Sequence, residues 1–178
     1  MRIVSAALLS IALPFTAFAA GSDDTEPPTE TQTTTECAKG EVWDEKTQAC
    51  IKAEDTSLND DIRFKAVREL AYAGRYDEAL AMLDTMTEGN TSRVMTYRGF
   101  ALRKSGHVQE GIAAYEQAIA IDPANILARS YYGQLLVQMD KIEEAEVQLA
   151  SIQSAGGAGT WAELSLAKAI KTGETYNY

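Results

Sequence analysis

An interval of about 34 residues constrains the fold of this chain more than any other feature of its sequence. Gly99 recurs as Gly133, 34 positions further on. Three more series of small or apolar residues step by 32 and then 34 positions: Ala79, Gly111 and Ala145; Leu83, Tyr115 and Leu149; and Met86, Ala118 and Ile152. An interval of this length is typical of a helical hairpin repeat. Because one hairpin cannot bury its apolar faces alone, the pattern predicts stacked helix pairs with a shared core.

Apolar spacing and helix-breaking residues divide this region into predicted helices. Six of them form three pairs, at about 58–73 and 76–87, 92–104 and 108–121, and 124–139 and 142–153. Ser57, Asp122 and Thr160 are the expected N-caps of the first, fifth and last helices. The last helix begins at Trp161 and is expected to cover the open end of the stack, with Trp161 in the core.

The individual repeat positions point to a known family. The middle unit has Gly99, Tyr115, Ala118 and the closing Asp122-Pro123, and the third unit has Tyr132-Gly133, Leu136, Ala145 and Leu149. The first unit matches mainly over 74–80, and Gly111 stands where the family prefers alanine. These residues resemble the tetratricopeptide repeat, a helix–turn–helix unit of about 34 residues.

The resemblance implies an all-α fold of three helix pairs plus a C-terminal capping helix over residues 58–172. It also implies a scaffold or adaptor, without a cofactor, that binds a protein or peptide segment in a concave groove. In this family the first helix of each pair lines the groove and the second faces outward. The repeat alignment transfers the groove positions to Phe64, Arg68, Arg93, Tyr97, Phe100, Arg103, Lys104, Tyr131, Gln134 and Gln138.

Positive charge concentrates in the helix predicted at 92–104, which contains Arg93, Arg98, Arg103 and Lys104 and no acid. The whole chain has a formal net charge of −10, which argues against a general nucleic-acid role. One interpretation is a basic inner wall that selects an acidic partner, with Arg103 and Lys104 exposed to solvent. The other is ordinary surface charge that pairs with nearby acids.

The N-terminal residues have the pattern of a secretory signal peptide over 1–19. Arg2 precedes an apolar run at 3–13, and small residues at positions 17 and 19 fit the cleavage rule. The apolar run is shorter than the ~20 residues of a spanning helix. We therefore predict a periplasmic or secreted protein with no membrane span after cleavage. Residues 20–36 are rich in threonine, proline and acids and are expected to form a disordered linker. Residues 173–178 are expected to be a frayed tail.

Cys37 and Cys50 are the only cysteines, and behind a signal peptide they predict a disulfide. Val42 and Trp43 between turn residues predict a small β-hairpin over 37–51. The stretch resembles the last hairpin of peritrophin-type chitin-binding domains. That likeness implies an alternative function, a cell-envelope glycan-binding protein that uses the hairpin and its Trp43. The other interpretation is a stapled cap whose Trp43 packs on the first repeat helix.

Nothing in the sequence assembles a catalytic or metal site. His107 is the only histidine, and it lies at a predicted turn without a cysteine or acid arranged around it. Two thiols lack the two further ligands of a structural metal site. The glycine-rich stretch at 156–159 lacks the lysine of a phosphate loop. We therefore expect no enzyme activity, cofactor or metal, and the sequence leaves the partner and the oligomeric state open.

Overall fold

The computed structural model describes residues 28–176. The predicted signal peptide at 1–19 and the first part of the predicted linker lie outside the described residues. Within 28–176 no helix is both long and apolar enough to cross a bilayer. The elements in chain order are α1 (Gln32–Thr35), β1 (Glu41–Asp44), β2 (Ala49–Lys52), α2 (Asp60–Tyr72), α3 (Tyr76–Asp84), α4 (Ser92–Lys104), α5 (Val108–Ile121), α6 (Ile126–Gln138), α7 (Ile142–Ser154) and α8 (Trp161–Thr172).

The helices pair in sequence order. α2 packs with α3, α4 with α5 and α6 with α7, while α8 packs against both α6 and α7. The predicted fold of three helix pairs, a capping helix and a small hairpin in front is therefore confirmed. The largest apolar cluster runs from the hairpin through the first two pairs into α6. A second cluster joins α6, α7 and α8, so each pair buries apolar surface against its neighbours.

The glycines of the repeat mark the closest helix contacts. A Cβ atom on Gly99 would lie 2.7 Å from the ring of Tyr115, and one on Gly133 would lie 2.6 Å from the side chain of Leu166. Neither contact leaves room for a methyl group, because the interior is already close-packed. At Gly111 a Cβ atom would lie 3.1 Å from the carbonyl oxygen of Gly99. The departure from alanine at this position therefore matches a close approach of α5 to the backbone of α4.

Two of the three expected N-caps are wrong. Asn59 and Asn125 cap α2 and α6, where their side chains accept backbone N–H groups three residues further on, at 2.9 and 2.8 Å. Ser57 instead donates its backbone N–H to Asp55 in the preceding turn. Asp122 likewise accepts a backbone N–H within the turn at 122–124. Both expected caps are turn residues because each lies too far ahead of its helix to reach the free N–H groups.

The other helix ends follow the sequence more closely. Thr160 caps α8 as predicted, by accepting the N–H of Glu163 at 3.4 Å. α3 ends at Asp84, earlier than expected, and the hydroxyl of Thr85 then donates to the carbonyl of Met82 at 2.7 Å. The loop that follows is bound by α2. The carboxylate of Asp60, the first residue of α2, accepts the backbone N–H of Thr87 at 2.8 Å.

The disulfide hairpin is present and forms one side of the core. β1 and β2 are antiparallel, with Trp43 opposite Cys50, and Cys50 is joined to Cys37 as predicted. Val42 is buried and contributes to the apolar cluster of the first helix pair. Trp43 is half-buried and lines a cleft between the hairpin and α2. The hairpin therefore caps the stack mainly through Val42, while Trp43 keeps part of its ring accessible.

The end of the predicted linker is ordered, which corrects the expectation of disorder for residues 31–36. The buried carboxylate of Glu69 on α2 accepts the backbone N–H and the hydroxyl of Thr31 at 2.8 and 2.7 Å. It also accepts the same two groups of Thr34, at 3.2 and 2.5 Å. The guanidinium of Arg75 donates to the carbonyl oxygens of Thr33 and Thr34. Composition alone did not predict this order, because the acceptor is the carboxylate of Glu69, which is distant in sequence. It supplies the hydrogen bonds that a short helix cannot make within itself.

We predict that Glu69→Ala releases α1 from the stack. The substitution removes four hydrogen bonds to a buried charged group, and hydrogen bonds of this kind stabilise by ~1.5–3 kcal/mol each. Because the threonine donors regain water, the free energy of unfolding should fall by ~2 kcal/mol overall. Amides at 31–36 should then exchange faster with solvent, as measured by hydrogen-exchange mass spectrometry. Asp77→Ala, an exposed acid on α3, is the matched control. Unchanged protection in Glu69→Ala would contradict the assignment.

Candidate functional site

The ten predicted groove residues lie on α2, α4 and α6, and we call this surface the inner wall. Seven of them are buried: Phe64, Arg68, Tyr97, Phe100, Arg103, Tyr131 and Gln134. Arg93 and Lys104 are half-buried, and Gln138 is exposed. The inner wall is therefore largely a packed layer, and only part of it is open to solvent.

Aromatic rings connect the three first helices along this wall. Phe64 meets Tyr97 edge-on at 5.3 Å between ring centroids, and Tyr97 meets Tyr131 edge-on at 6.4 Å. The ring centroid of Phe100 lies 4.9 Å from that of Tyr131. Such pairs add ~0.5–1.5 kcal/mol each beyond the area they bury. In this structure the rings contact one another, so their first role is to join the helix pairs.

Two further aromatic residues belong to the same layer and were not among the predicted groove residues. Tyr72 stacks on Phe100 at 5.8 Å, and its hydroxyl is hydrogen-bonded to that of Tyr131. Trp161 meets Tyr131 edge-on at 5.9 Å, so the capping helix closes the layer. A signal existed for both, since each is an aromatic residue at the end or start of a predicted helix that faces the stack.

The buried hydroxyl of Tyr97 is bound by a cation. Arg68 on α2 donates from Nε to the hydroxyl of Tyr97 on α4 at 3.1 Å. Burial raises the pKa of Tyr97, and the nearby Arg68 charge opposes that rise. The phenol therefore stays protonated at neutral pH. Arg68 thus contributes to the contact between the first two helix pairs.

Arg93 pairs with nearby acids, as expected from the interpretation of the positive charge as ordinary surface charge. Its guanidinium lies 2.9 Å from Asp61 and 2.8 Å from Glu88, and it stacks over Phe64 at 4.7 Å from the ring centroid. Arg98 is paired in the same way with Asp84 at 2.8 Å. These two cations already have carboxylate partners, so they contribute little free positive charge to the inner wall.

Arg103 is buried, so the expectation of an exposed residue is wrong. Only 6% of its surface is accessible. Its Nη1 donates to the carbonyl oxygen of Tyr131 at 2.8 Å and so links α4 to α6. Among the described residues its Nε has no hydrogen-bond partner, and neither has the buried hydroxyl of Tyr115. The sequence could not show this contact, because the acceptor is a backbone carbonyl 28 residues further along.

Lys104 is the accessible cation of the inner wall. Its Nζ lies 5.8 Å from the ring centroid of Phe100. Burial lowers the pKa of Lys104, and the charge of the neighbouring Arg103 lowers it further. Within residues 28–176 no carboxylate forms an ion pair with Arg103 or Lys104. The wall therefore holds two adjacent positive charges without an acidic partner.

The tail that was expected to fray lies against the α6 end of the wall in its described part, 174–176. Gln134 is fully buried, and its Oε1 accepts the backbone N–H of Tyr176 at 2.7 Å. Gln138 donates from Nε2 to the hydroxyl of Thr175 at 3.0 Å. Lys168 on α8 lies 4.3 Å from the ring centroid of Tyr176. Two predicted groove residues thus already hold a short stretch of the chain outside the helices.

Among residues 28–176 no group of three or more histidine, cysteine or acidic side chains is placed to hold a metal ion. His107 is exposed and hydrogen-bonds through Nδ1 to the hydroxyl of Ser105 at 3.2 Å. No acid or nucleophile from the described chain accompanies that pair in the hydrogen-bond network.

Comparison with known proteins bears on the helix pairs. A family model described as "Tetratricopeptide repeat" matches residues 102–168. The matched stretch runs from the end of α4 into α8 and so contains Arg103, Lys104, Tyr131, Gln134 and Gln138. No curated protein matches the chain.

We predict that Arg103→Glu and Lys104→Glu differ sharply in stability. The first places a carboxylate in a buried site beside the Tyr131 carbonyl, where an unpaired charge costs ~3 kcal/mol or more. The second changes a half-exposed residue with no ion pair to lose, so its effect should stay within ~1 kcal/mol. Urea unfolding followed by circular dichroism measures both. Equal, small losses in the two variants would contradict the burial of Arg103.

Proposed function

We propose that this chain is a non-catalytic tetratricopeptide-repeat scaffold that binds a protein or peptide segment along its inner wall, since residues 102–168 match a model of that repeat family and the helices stack in pairs. Repeat proteins of stacked helix pairs present extended concave surfaces suited to such partners. The proposed binding surface consists of the accessible part of the wall, around Lys104 and Gln138, supported from below by the aromatic layer.

The observation behind this proposal is the unpaired charge of Arg103 and Lys104. In a chain of net charge −10, acids are abundant, yet within residues 28–176 none pairs with these two cations. Beyond the effect of burial, the charge of Arg103 lowers the pKa of Lys104, so the two like charges repel each other. A carboxylate brought to Lys104 by a partner relieves that repulsion. We therefore propose an acidic segment as the ligand.

We also propose that the protein acts outside the cytoplasm, in a periplasm or after secretion. The support is the disulfide between Cys37 and Cys50, since such bonds persist mainly in oxidising compartments. The pattern of residues 1–19 agrees with export. The partner is then an envelope or extracellular protein.

The test is crosslinked capture of the partner from native envelope, followed by affinity measurement with the purified partner. Lys104→Glu should weaken binding at least about tenfold, because like charges that face each other across an interface cost more than ~1.4 kcal/mol. Binding to the unmodified chain should also weaken as ionic strength rises. Lys141→Glu is the matched control, since Lys141 is an exposed cation on the outer side, before α7.

The hairpin offers the second candidate, glycan binding. Trp43 lines a cleft of about 310 Å³ between β1 and α2, together with polar side chains that include Asn59 and Lys65. In the same capture experiment, Trp43→Ala would then abolish binding while Lys104→Glu would not. That outcome would move the site from the inner wall to the hairpin.

A further inference from the structure

The stretch Glu174–Tyr176 lies on the inner wall in the manner of a bound peptide. We propose that α6 and α8 form a binding site for an extended peptide segment with an aromatic side chain, and that residues 174–176 occupy this site as an intramolecular competitor. The inference rests on the proposed function, and it specifies the conformation and the anchor residue of the partner.

The centre of the site is the amide of Gln134. The side chain is fully buried, and its Nε2 points at the hydroxyls of Ser130 and Ser165, at 3.4 and 3.5 Å. Those two hydroxyls also lie 3.2 Å from each other. The cluster fixes the amide so that Oε1 faces the groove, where it accepts the N–H of Tyr176. Because a buried acceptor without a donor costs ~1–3 kcal/mol, the site favours any occupant that supplies a backbone N–H.

Backbone recognition makes the site tolerant of sequence, and the side-chain contacts add a preference. The Tyr176 ring packs against the apolar cluster of α6, α7 and α8, with the Lys168 ammonium 4.3 Å from its centroid. A cation over an aromatic face at a partly exposed site contributes ~0.5–1 kcal/mol. Gln138 contacts the hydroxyl of the preceding Thr175. The preferred ligand therefore has an aromatic residue after a small hydroxyl residue.

The site is continuous with the unpaired cations. Tyr131 precedes Gln134 by one helical turn on α6, and its carbonyl oxygen is the acceptor of Arg103. Lys104 is the residue after Arg103 and the last residue of α4. A partner segment that follows the wall from α8 to α4 would place its aromatic anchor at Lys168 and an acid at Lys104. Residues 174–176 make the contacts at the end of the site that α6 and α8 form.

The tail is held weakly enough to be displaced. Its described contacts with α6 and α8 are one cation–aromatic contact and four hydrogen bonds, two of them to the exposed hydroxyl of Thr172 at the end of α8, and Tyr176 remains half-exposed. A tethered segment acts at an effective concentration of ~1 mM. If the segment binds with a Kd of ~0.1 mM, it lowers the apparent affinity of a competing peptide about tenfold.

The experiment uses the full chain and a labelled synthetic peptide, Gly-Glu-Thr-Tyr-Asn-Tyr, which has the sequence of residues 173–178. Tyr176→Pro in the protein removes the N–H that Gln134 accepts and frees the site. Fluorescence anisotropy should show the peptide binding Tyr176→Pro about tenfold more tightly than the unmodified chain. A peptide with proline in place of the first tyrosine should not bind either protein. Equal binding of the two peptides would overturn the inference without requiring any variant at Gln134.

The pocket itself is tested by Gln134→Leu in the Tyr176→Pro background. This change keeps the volume and removes the acceptor, so peptide binding should be lost while circular dichroism stays helical. Gln153→Leu, on the exposed side of α7, should leave binding unchanged. If Gln134→Leu unfolds, Gln138→Ala provides the second variant, with a smaller loss expected. Full binding by a folded variant at either position would contradict the site.

The two proposals fail separately. If the peptide does not bind Tyr176→Pro while partner capture still depends on Lys104, the inference is wrong and the proposed function stands. If the peptide binds through Gln134 while capture ignores Lys104, the peptide site stands and the charge-based function is wrong.

Discussion

The contact on which the structure depends is the aromatic layer between α2, α4 and α6. Phe64, Tyr97 and Tyr131 meet in sequence, one ring from each helix pair. Stacking of the pairs brings these three rings into contact. Trp161 then covers the last ring. The same rings therefore hold the repeats together and form the floor of the inner wall.

The polar groups of the wall divide into two kinds. Arg93 is neutralised by acids of its own neighbourhood, and Arg103 holds a backbone carbonyl of the next pair. These contacts fix the geometry of the stack. Lys104 instead has no acidic partner among the described residues, and the buried amide oxygen of Gln134 accepts a backbone N–H of the tail. The proposed surface for an acidic, aromatic-anchored segment rests on these two groups.

Much of the fold was predictable because the repeat interval places equivalent packing residues at equal steps. Gly99 and Gly133 recur where helices approach most closely, so the pattern encodes the contact itself. The errors arose where a distant group decides a local structure. Glu69 orders a threonine-rich stretch that composition alone assigns to disorder. For the candidate site, the repeat alignment predicted which helices form the wall. It did not predict that Arg103 is buried, since the acceptor for Arg103 is a main-chain atom.

The most direct test of the account is amide exchange at Tyr176 in the full-length chain, observed by nuclear magnetic resonance. The structure gives this N–H a 2.7 Å hydrogen bond to the buried Gln134, so it should exchange more slowly than the amide of Glu174, whose 3.2 Å bond to the hydroxyl of Thr172 is exposed. As the partner or the unlabelled peptide is added, protection at Tyr176 should fall in proportion to occupancy, while the amides within α7 stay protected. Saturating ligand that leaves the Tyr176 amide unchanged would contradict the claim that the tail occupies the partner's site on the inner wall.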